Sequence, residues 1–407
     1  MTINKKCRLC NSTNREIINL GNSPPANNFI SKEQAPVDSF PLILDYCDNC
    51  AGLQLRHCLA KEQLYSDYVY ITPDTLSLND HYRDIVDYLI TNNYVDKTTD
   101  CLEIGSNNGR FLKFIEPYVK SVLGVDPAKN IVSFASSLGI ETIVDFFSKD
   151  VISKIKDKNK NIKLIIARHV FAHNSIPDDI FEGINGLLDD EGIILIENAY
   201  AFDTLKNGEF DQIYHEHMFY FSVLNMRNYL NSHSYDLNDT FFTNIHGGSI
   251  VFIGSRKNRY PVSQKIEDQI GIEKELLHED KIFHSFRART EEVKNLTLNE
   301  INMDIKEGRT VCAYGASAKA FTMFALLGLN SSKIKFCADT SITKVGKIFP
   351  VFNIPVISEE EMISMEYDTV LVTAWNYKEE ILAKSTKLFK RNTKLIFPLP
   401  DFEILYT

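Results

Sequence analysis

The sequence is short of long apolar runs. No stretch reaches the roughly 18 consecutive apolar residues of a membrane span. The opening "MTINKKCRLC" has no apolar core of the signal-peptide kind, so a soluble, cytoplasmic chain is expected. Basic residues are also in deficit, and the net charge is -10. This argues against a general nucleic-acid binder, which needs a basic stripe to neutralise phosphates. The densest lysine run, "SKIKDKNKNIK" at 153–163, reads as a solvated helix end and loop. There is no internal repeat, no low-complexity tract and no G-x-G-x-x-G. Cysteines number only 8, and reducing conditions point them to metal or packing rather than to disulfides.

What is present is a globular chain. At 407 residues and 44 % hydrophobic content, two or three domains with packed cores are expected. Residues 1–75 are rich in turn formers and hold five of the cysteines, four of them in two pairs. From 76 to 260 short apolar runs alternate with helical patterns: "NDHYRDIVDYLITNNY" predicts an amphipathic helix over 79–94, followed by "DCLEIGSNNGRFLKFI", "SVLGVDP", "IETIVDFF", "KLIIARHVF" and "GIILIENAY". That alternation predicts an α/β fold with an open, mainly parallel sheet, closed by an antiparallel end from "DTFFTNIHGG" and "SIVFIGS". Residues 261–305 are charged and helical in pattern and read as a connector. A second, smaller α/β alternation fills 306–407.

The cysteines at the N-terminus form two C-x2-C pairs, Cys7 with Cys10 and Cys47 with Cys50. Each tight turn aims two sulfurs at one point, and four thiolates in a tetrahedron suit zinc. With every position filled by sulfur, such a zinc is structural, stabilising a segment with little core of its own. The competing reading is coincidental buried cysteines. Cys58, Cys101, Cys312 and Cys337 stand alone and read as packing residues.

"LEIGSNNG" places Glu103, Gly105, Asn107, Asn108 and Gly109 between a strand and a helix. The pattern E-x-G-x-x-x-G fits a dinucleotide site poorly and an S-adenosylmethionine site well, where the turn cups a ligand that has no phosphate. Asp126, before Pro127 at the end of the next strand, is placed to accept from both ribose hydroxyls. Asp145, followed by Phe146, is placed to accept from the adenine amine. Each acid taken alone reads equally well as a cap or a solvated turn.

"QIYHEHMFYF" at 212–221 raises three possibilities: a metal pair, an acid–base site or packing. His215 and His217 lack the i, i+4 spacing of H-E-x-x-H helices. Histidine is suited to proton abstraction near neutral pH, and Tyr214 to donating toward a developing oxyanion.

Taken in order, the cysteine pairs, "EIGSNNG", "GVDPA", "ARHVFAH", "YHEH", "HGGS", "YGASAK", "ADTSITKVGK" and "TAWNY" resemble the nucleotide-sugar C-methyltransferases, which build methyl-branched deoxysugars such as tetronitrose. The resemblance spans nearly the whole chain. It implies a zinc-binding N-terminal domain, a central Rossmann-like class I methyltransferase domain that binds S-adenosylmethionine, and a C-terminal Rossmann-like domain. It implies His217 as the catalytic histidine, with Tyr214, Glu216 and His173 beside it. A further active-site tyrosine maps onto "DYVYITP", to Tyr70 in preference to Tyr68, the latter being kept as a substrate contact. Ile71, Thr72 and Pro73 depart from the small hydroxyl residues usual there, and Asn108 stands where Asp is common. The turn His246, Gly247, Gly248 is expected to line the sugar pocket, and Tyr314, Ala316 and Lys319 to meet the substrate diphosphate at a helix N-terminus. The bland alternative for both turns is a tight connection with no ligand. The function implied is C-methylation, at C3 by analogy, of a nucleotide-linked 4-keto-deoxysugar. Neither nucleic acid nor membrane is an expected partner, and the expected state is a monomer or weak homodimer. O- or N-methylation of a small metabolite, an RNA-binding or RNA-modifying zinc protein, and a silent nucleotide-sugar binder are the alternatives.

Overall fold

The computed structural model describes residues 2–3, 5–31, 33–34, 37–60, 63–64, 71–158 and 161–407. The central sheet has seven strands: β1 Asp100–Ile104, β2 Ser121–Val125, β3 Thr142–Ile143, β4 Ile162–Arg168, β5 Leu188–Ala199, β6 Tyr235–Thr243 and β7 Ser249–Arg256. They lie in the order β6-β7-β5-β4-β1-β2-β3. β1 to β5 are parallel, while β7 runs antiparallel to both β5 and β6. β1 is buried along its whole length, as a strand covered by helices on both faces must be. The helix before it runs Leu76–Thr91, three residues earlier at each end than the apolar pattern suggests. Thr75 sets the start, its side chain accepting from the Leu78 N–H. The end is a turn through Asn93 in the left-handed region (φ 55°), which leaves Tyr94 beyond the helix.

The C-terminal sheet repeats the plan. Its parallel strands Val311–Tyr314, Cys337–Asp339, Ile354–Ser358, Thr369–Val372 and Lys394–Phe397 lie in the order third, second, first, fourth, fifth. Short antiparallel strands, Ile348–Phe349 and Glu403–Tyr406, flank them. Helices Gln264–Leu277 and Lys281–Lys306 connect the two sheets. The second buries Ile282, Phe283, Phe286, Val293 and Ile301 at helical spacing. At its end, Asp304 is fully buried and accepts from Lys394, Arg309 and Thr369, which fastens the helix to the C-terminal sheet.

The N-terminal part contains a sheet of Arg15–Ser23, Phe40–Tyr46 and Leu53–Leu55, and its fourth strand is Phe219–Tyr220 from the central part. Tyr220 lies opposite Leu53, and Phe219 opposite Gln54. On the other side Ile30 exchanges both backbone hydrogen bonds with Ile348, and Phe29 packs edge-on against Phe321 and Phe349. One apolar core therefore runs through all three parts, while a second lies on the opposite face of the central sheet. Among the described residues no helix is long and apolar enough to cross a membrane.

Candidate active site

The four N-terminal cysteines converge. Their sulfurs all lie within 4.8 Å of one another, with Cys7–Cys50 and Cys10–Cys47 at 3.5 Å. A zinc tetrahedron with Zn–S near 2.3 Å has edges of about 3.8 Å, so the set fits the metal. Each pair closes the same turn: the Asn11 N–H donates to the Cys7 carbonyl at 2.8 Å and the Ala51 N–H to the Cys47 carbonyl at 2.9 Å, both donors having left-handed backbone. Among the described residues this is the one His/Cys/Asp/Glu cluster able to hold a metal. Cys58, Cys101, Cys312 and Cys337 are buried singly.

A cavity of about 1190 Å³ runs between the three parts. That exceeds the space one small ligand fills and suits two. At one end lies the first glycine turn. Gly105, Asn107 and Gly109 all have left-handed backbone. A Cβ on Gly109 would approach Ala135 and Ile140 to about 3 Å, so this glycine lets the turn pack on the next helix. Asp126 sits at the cavity wall, its two oxygens accepting from the Asn107 N–H at 2.8 Å and the Ala128 N–H at 2.9 Å. Each oxygen keeps a second lone pair for a ligand hydroxyl. Gly105, Pro127 and Phe146 line the same end. Above it Thr72 pairs with the turn twice, its N–H donating to Asn107 Oδ1 and its carbonyl accepting from Asn108 Nδ2.

Two residues expected on the cofactor are placed elsewhere. Glu103 is fully buried beneath the turn, where it accepts two hydrogen bonds from Arg168 at 2.8 and 2.9 Å, and it does not line the cavity. Burial pushes its carboxyl up to about 7 despite Arg168. Asp145 turns away to Lys154 and to its neighbour's N–H, leaving Phe146 as the wall residue. Sequence spacing alone does not reveal either partner.

Midway along the cavity the histidines meet. His217 Nδ1 lies 3.1 Å from the Gln212 carbonyl, which can only accept, so Nδ1 carries the hydrogen and Nε2 is the basic nitrogen. The Tyr214 hydroxyl donates to that Nε2 at 2.7 Å. The turn geometry brings this about: the His217 N–H donates to the Tyr214 carbonyl, which stacks the two rings with centroids 4.1 Å apart. His173 follows with its centroid 5.1 Å from that of His217. Burial, followed by the charges of His173 and His169, pushes His217 well below its ordinary range, and burial takes His173 down to about 4. Both are therefore neutral imidazoles at pH 7.

His215, by contrast, is buried with its ring edge-on to Phe40, so the two histidines diverge and form no metal pair. Glu216 faces the cavity and accepts from Asn27 Nδ2 at 2.8 Å. Burial raises it to about 7, against Asn27 and the charge of Lys344. Tyr68 and Tyr70 lie outside the described residues.

The far end of the cavity is the second turn. Gly315 (φ 100°) leads into helix Ala318–Leu327, whose N-cap is Ser317. Tyr314, Ser317 and Lys319 line the cavity, whereas Ala316 is buried, with its N–H donating to Asp339 at 2.6 Å. Lys319 lies over the Trp375 ring, 4.2 Å from its centroid, and Trp375 donates to Asp211 at 2.7 Å. Gly247 and Gly248 support this wall from behind rather than lining it: a Cβ on Gly247 would come 3.1 Å from both Gln212 and Trp375. Ile245 is the cavity residue of that turn, and the His246 side chain is outside the described set. Asn27, Arg168, His169, Lys344 and Asp339 also line the site or support it, and sequence reading did not single them out. His169 carries a signal in retrospect, standing in the quoted "ARHVFAH", and its backbone is left-handed (φ 54°).

This fold and this site define an S-adenosylmethionine-dependent methyltransferase with a structural zinc. Residues 7–65 match a zinc binding domain, residues 78–239 a methyltransferase domain, and residues 244–400 the C-methyltransferase C-terminal domain. The C-methyltransferase NovU of Streptomyces niveus is 31 % identical over 407 residues, covering 98 % of this chain and 96 % of that one. The chain belongs to the C-methyltransferase family. Among solved structures, magnesium protoporphyrin IX methyltransferase of Synechocystis PCC 6803 has 11 % identity over 46 % of this chain and 91 % of its own, with a TM-score of 0.37. The N-methyltransferase NodS of Bradyrhizobium japonicum WM9 has 10 % identity over 46 % and 99 %, with a TM-score of 0.35. The family assignment rests on the sequence matches and not on these scores.

Proposed function

We propose that this enzyme methylates a carbon next to the ketone of a nucleotide-linked 4-keto-deoxysugar, with C3 as the position. The observation that carries this reading is the fixed tautomer of His217. A sugar carbon becomes a nucleophile only after a base takes its acidic hydrogen, and here a neutral imidazole presents a lone pair in a cavity with room for a second ligand.

Asp126 and the Gly105–Gly109 turn would hold S-adenosylmethionine, which when bound would supply an electrophilic methyl group, its methyl–sulfur bond breaking as the carbon–carbon bond forms and the thioether leaving. Seating the sugar displaces the Tyr214 hydroxyl from Nε2. His217 then accepts the proton from the carbon, while Tyr214 and His173 donate to the enolate oxygen. Lys319 and the N-terminus of helix Ala318–Leu327 meet the diphosphate. Glu216, held by Asn27, takes a sugar hydroxyl or amine. Methyl transfer then needs mainly alignment.

The test uses a panel of nucleoside diphosphate 4-keto-6-deoxyhexoses in deuterated water without cofactor. Wild type should exchange the hydrogen beside the ketone, and His217→Ala should do so roughly 10²–10⁴-fold more slowly. Adding 13C-methyl S-adenosylmethionine should give a C–CH3 signal by NMR. Exchange at the wild-type rate in His217→Ala, or a product carrying its methyl on oxygen or nitrogen, sinks the proposal.

A further inference from the structure

Arg8 stands inside the first cysteine pair yet lines the cavity. Its Nη2 donates to the Met218 carbonyl at 2.9 Å and its Nη1 to the Leu55 carbonyl at 3.1 Å, with Cys58 alongside. Its guanidinium lies over the Phe219 ring, 4.5 Å from the centroid, and its backbone N–H donates to Gln54 at 2.9 Å. Met218 directly follows His217. The Met218 carbonyl accepts from Leu55 as well as Arg8, and the Met218 N–H donates at 2.7 Å to Ala172, the neighbour of His173. The backbone of one residue thus ties the two cavity histidines to the cysteine turn. Even a half-buried guanidinium gives up hydration at a cost, and packing alone is met with less desolvation by an apolar side chain.

We propose that Arg8 is a positioning residue for His217: the cysteine turn fixes the guanidinium, which fixes the Met218 carbonyl and so keeps Nε2 of His217 turned to the cavity. The zinc-binding part is then a component of the active site rather than an appendage. Only the activity arm of the test rests on the reading of His217 as the base.

The test uses the full-length, zinc-loaded protein with ring-15N-labelled histidine, His217 being assigned from the signal lost in His217→Asn. In wild type His217 should remain a neutral Nδ1–H tautomer from pH 5 to 8. Arg8→Ala should retain zinc and S-adenosylmethionine affinity, but its His217 signals should shift to averaged tautomers. Solvent exchange of the substrate should fall roughly 10–100-fold, the usual cost of a misplaced group. Added guanidinium should restore the ring signals, a rescue that a purely structural defect would not show. Arg8→Lys should fall between the two. If the ring signals of both variants match wild type, the proposal fails. It also fails if neither variant yields folded, zinc-containing protein, because Arg8 is then a folding residue. Shifted ring signals without substrate exchange in wild type would leave Arg8 in place and remove the base assignment instead.

Discussion

The two Rossmann-like halves are built alike and equipped differently. In each, the acid ending the second strand accepts one N–H from the first turn and one from two residues ahead: Asp126 from Asn107 and Ala128, Asp339 from Ala316 and Ser341. In each, ligand space opens beyond the carboxyl end of the first strand. The central turn spends its residues on backbone shape, with three left-handed positions, no lysine, and only a six-residue helix, Arg110–Ile115, behind it. The C-terminal turn has one left-handed glycine, a ten-residue helix, and Lys319 with Lys344 nearby. The first equipment suits a nucleoside linked to an amino acid, the second a phosphate. On the function proposed above, the same scaffold is set to separate its two ligands by turn chemistry.

The comparison breaks most visibly at the leading glycines. A Cβ on Gly315 would sit 2.4 Å from Ala374 Cβ and 2.9 Å from that residue's backbone nitrogen, at φ 100°. A Cβ on Gly105 would sit equally close, 2.4 Å from a methyl of Val170, but would meet side-chain atoms only, at φ 68°. Gly315→Ala should therefore lose on the order of 3–4 kcal/mol in urea denaturation, and Gly105→Ala roughly 1–2 kcal/mol. Equal losses would mean that the two turns are not strained differently.

Next in size is Glu216, which lies between the halves. Its folded carboxyl is raised to about 7 from an ordinary 4.5, so the folded state favours the neutral form. Stability should fall as pH rises from about 4.5 to about 7, by roughly 3 kcal/mol once ionisation is complete. Glu216→Gln should remove this component of the pH dependence, as followed by thermal melts of the ligand-free protein at several pH values.

Asp126→Asn should weaken S-adenosylmethionine by about 1.5–3 kcal/mol in calorimetric titration, and leave nucleoside diphosphate binding unchanged. Smallest is the converse: Lys319→Met should weaken nucleoside diphosphates about tenfold, with a shallower salt dependence, and spare the cofactor. Crossed effects from either variant would show that the halves do not divide the ligands.

Legibility followed distance along the chain. Cys7, Cys10, Cys47 and Cys50 were readable because each metal-binding turn is local, and Asp126 because its place follows from strand, turn and strand. Tyr214, Glu216 and His217 were readable as one short segment. Glu103 was misleading because its partner, Arg168, arrives from β4, and Asp145 because Lys154 lies on the next helix. Asn27 could not be read at all: it matters only because the N-terminal loop folds against Glu216, 189 positions later.

The strand Phe219–Tyr220 completes the sheet that begins near the N-terminus. During synthesis Leu53–Leu55 therefore waits as an open edge until more than 160 further residues have been made, roughly ten to thirty seconds at ribosomal speed. An unpaired edge is an invitation to wrong pairing. Chimeras that exchange the first 75 residues without the strand Phe219–Tyr220 separate two strands that pair directly. The natural unit of exchange is thus discontinuous in the gene: the cysteine segment together with the ten or so codons around His217.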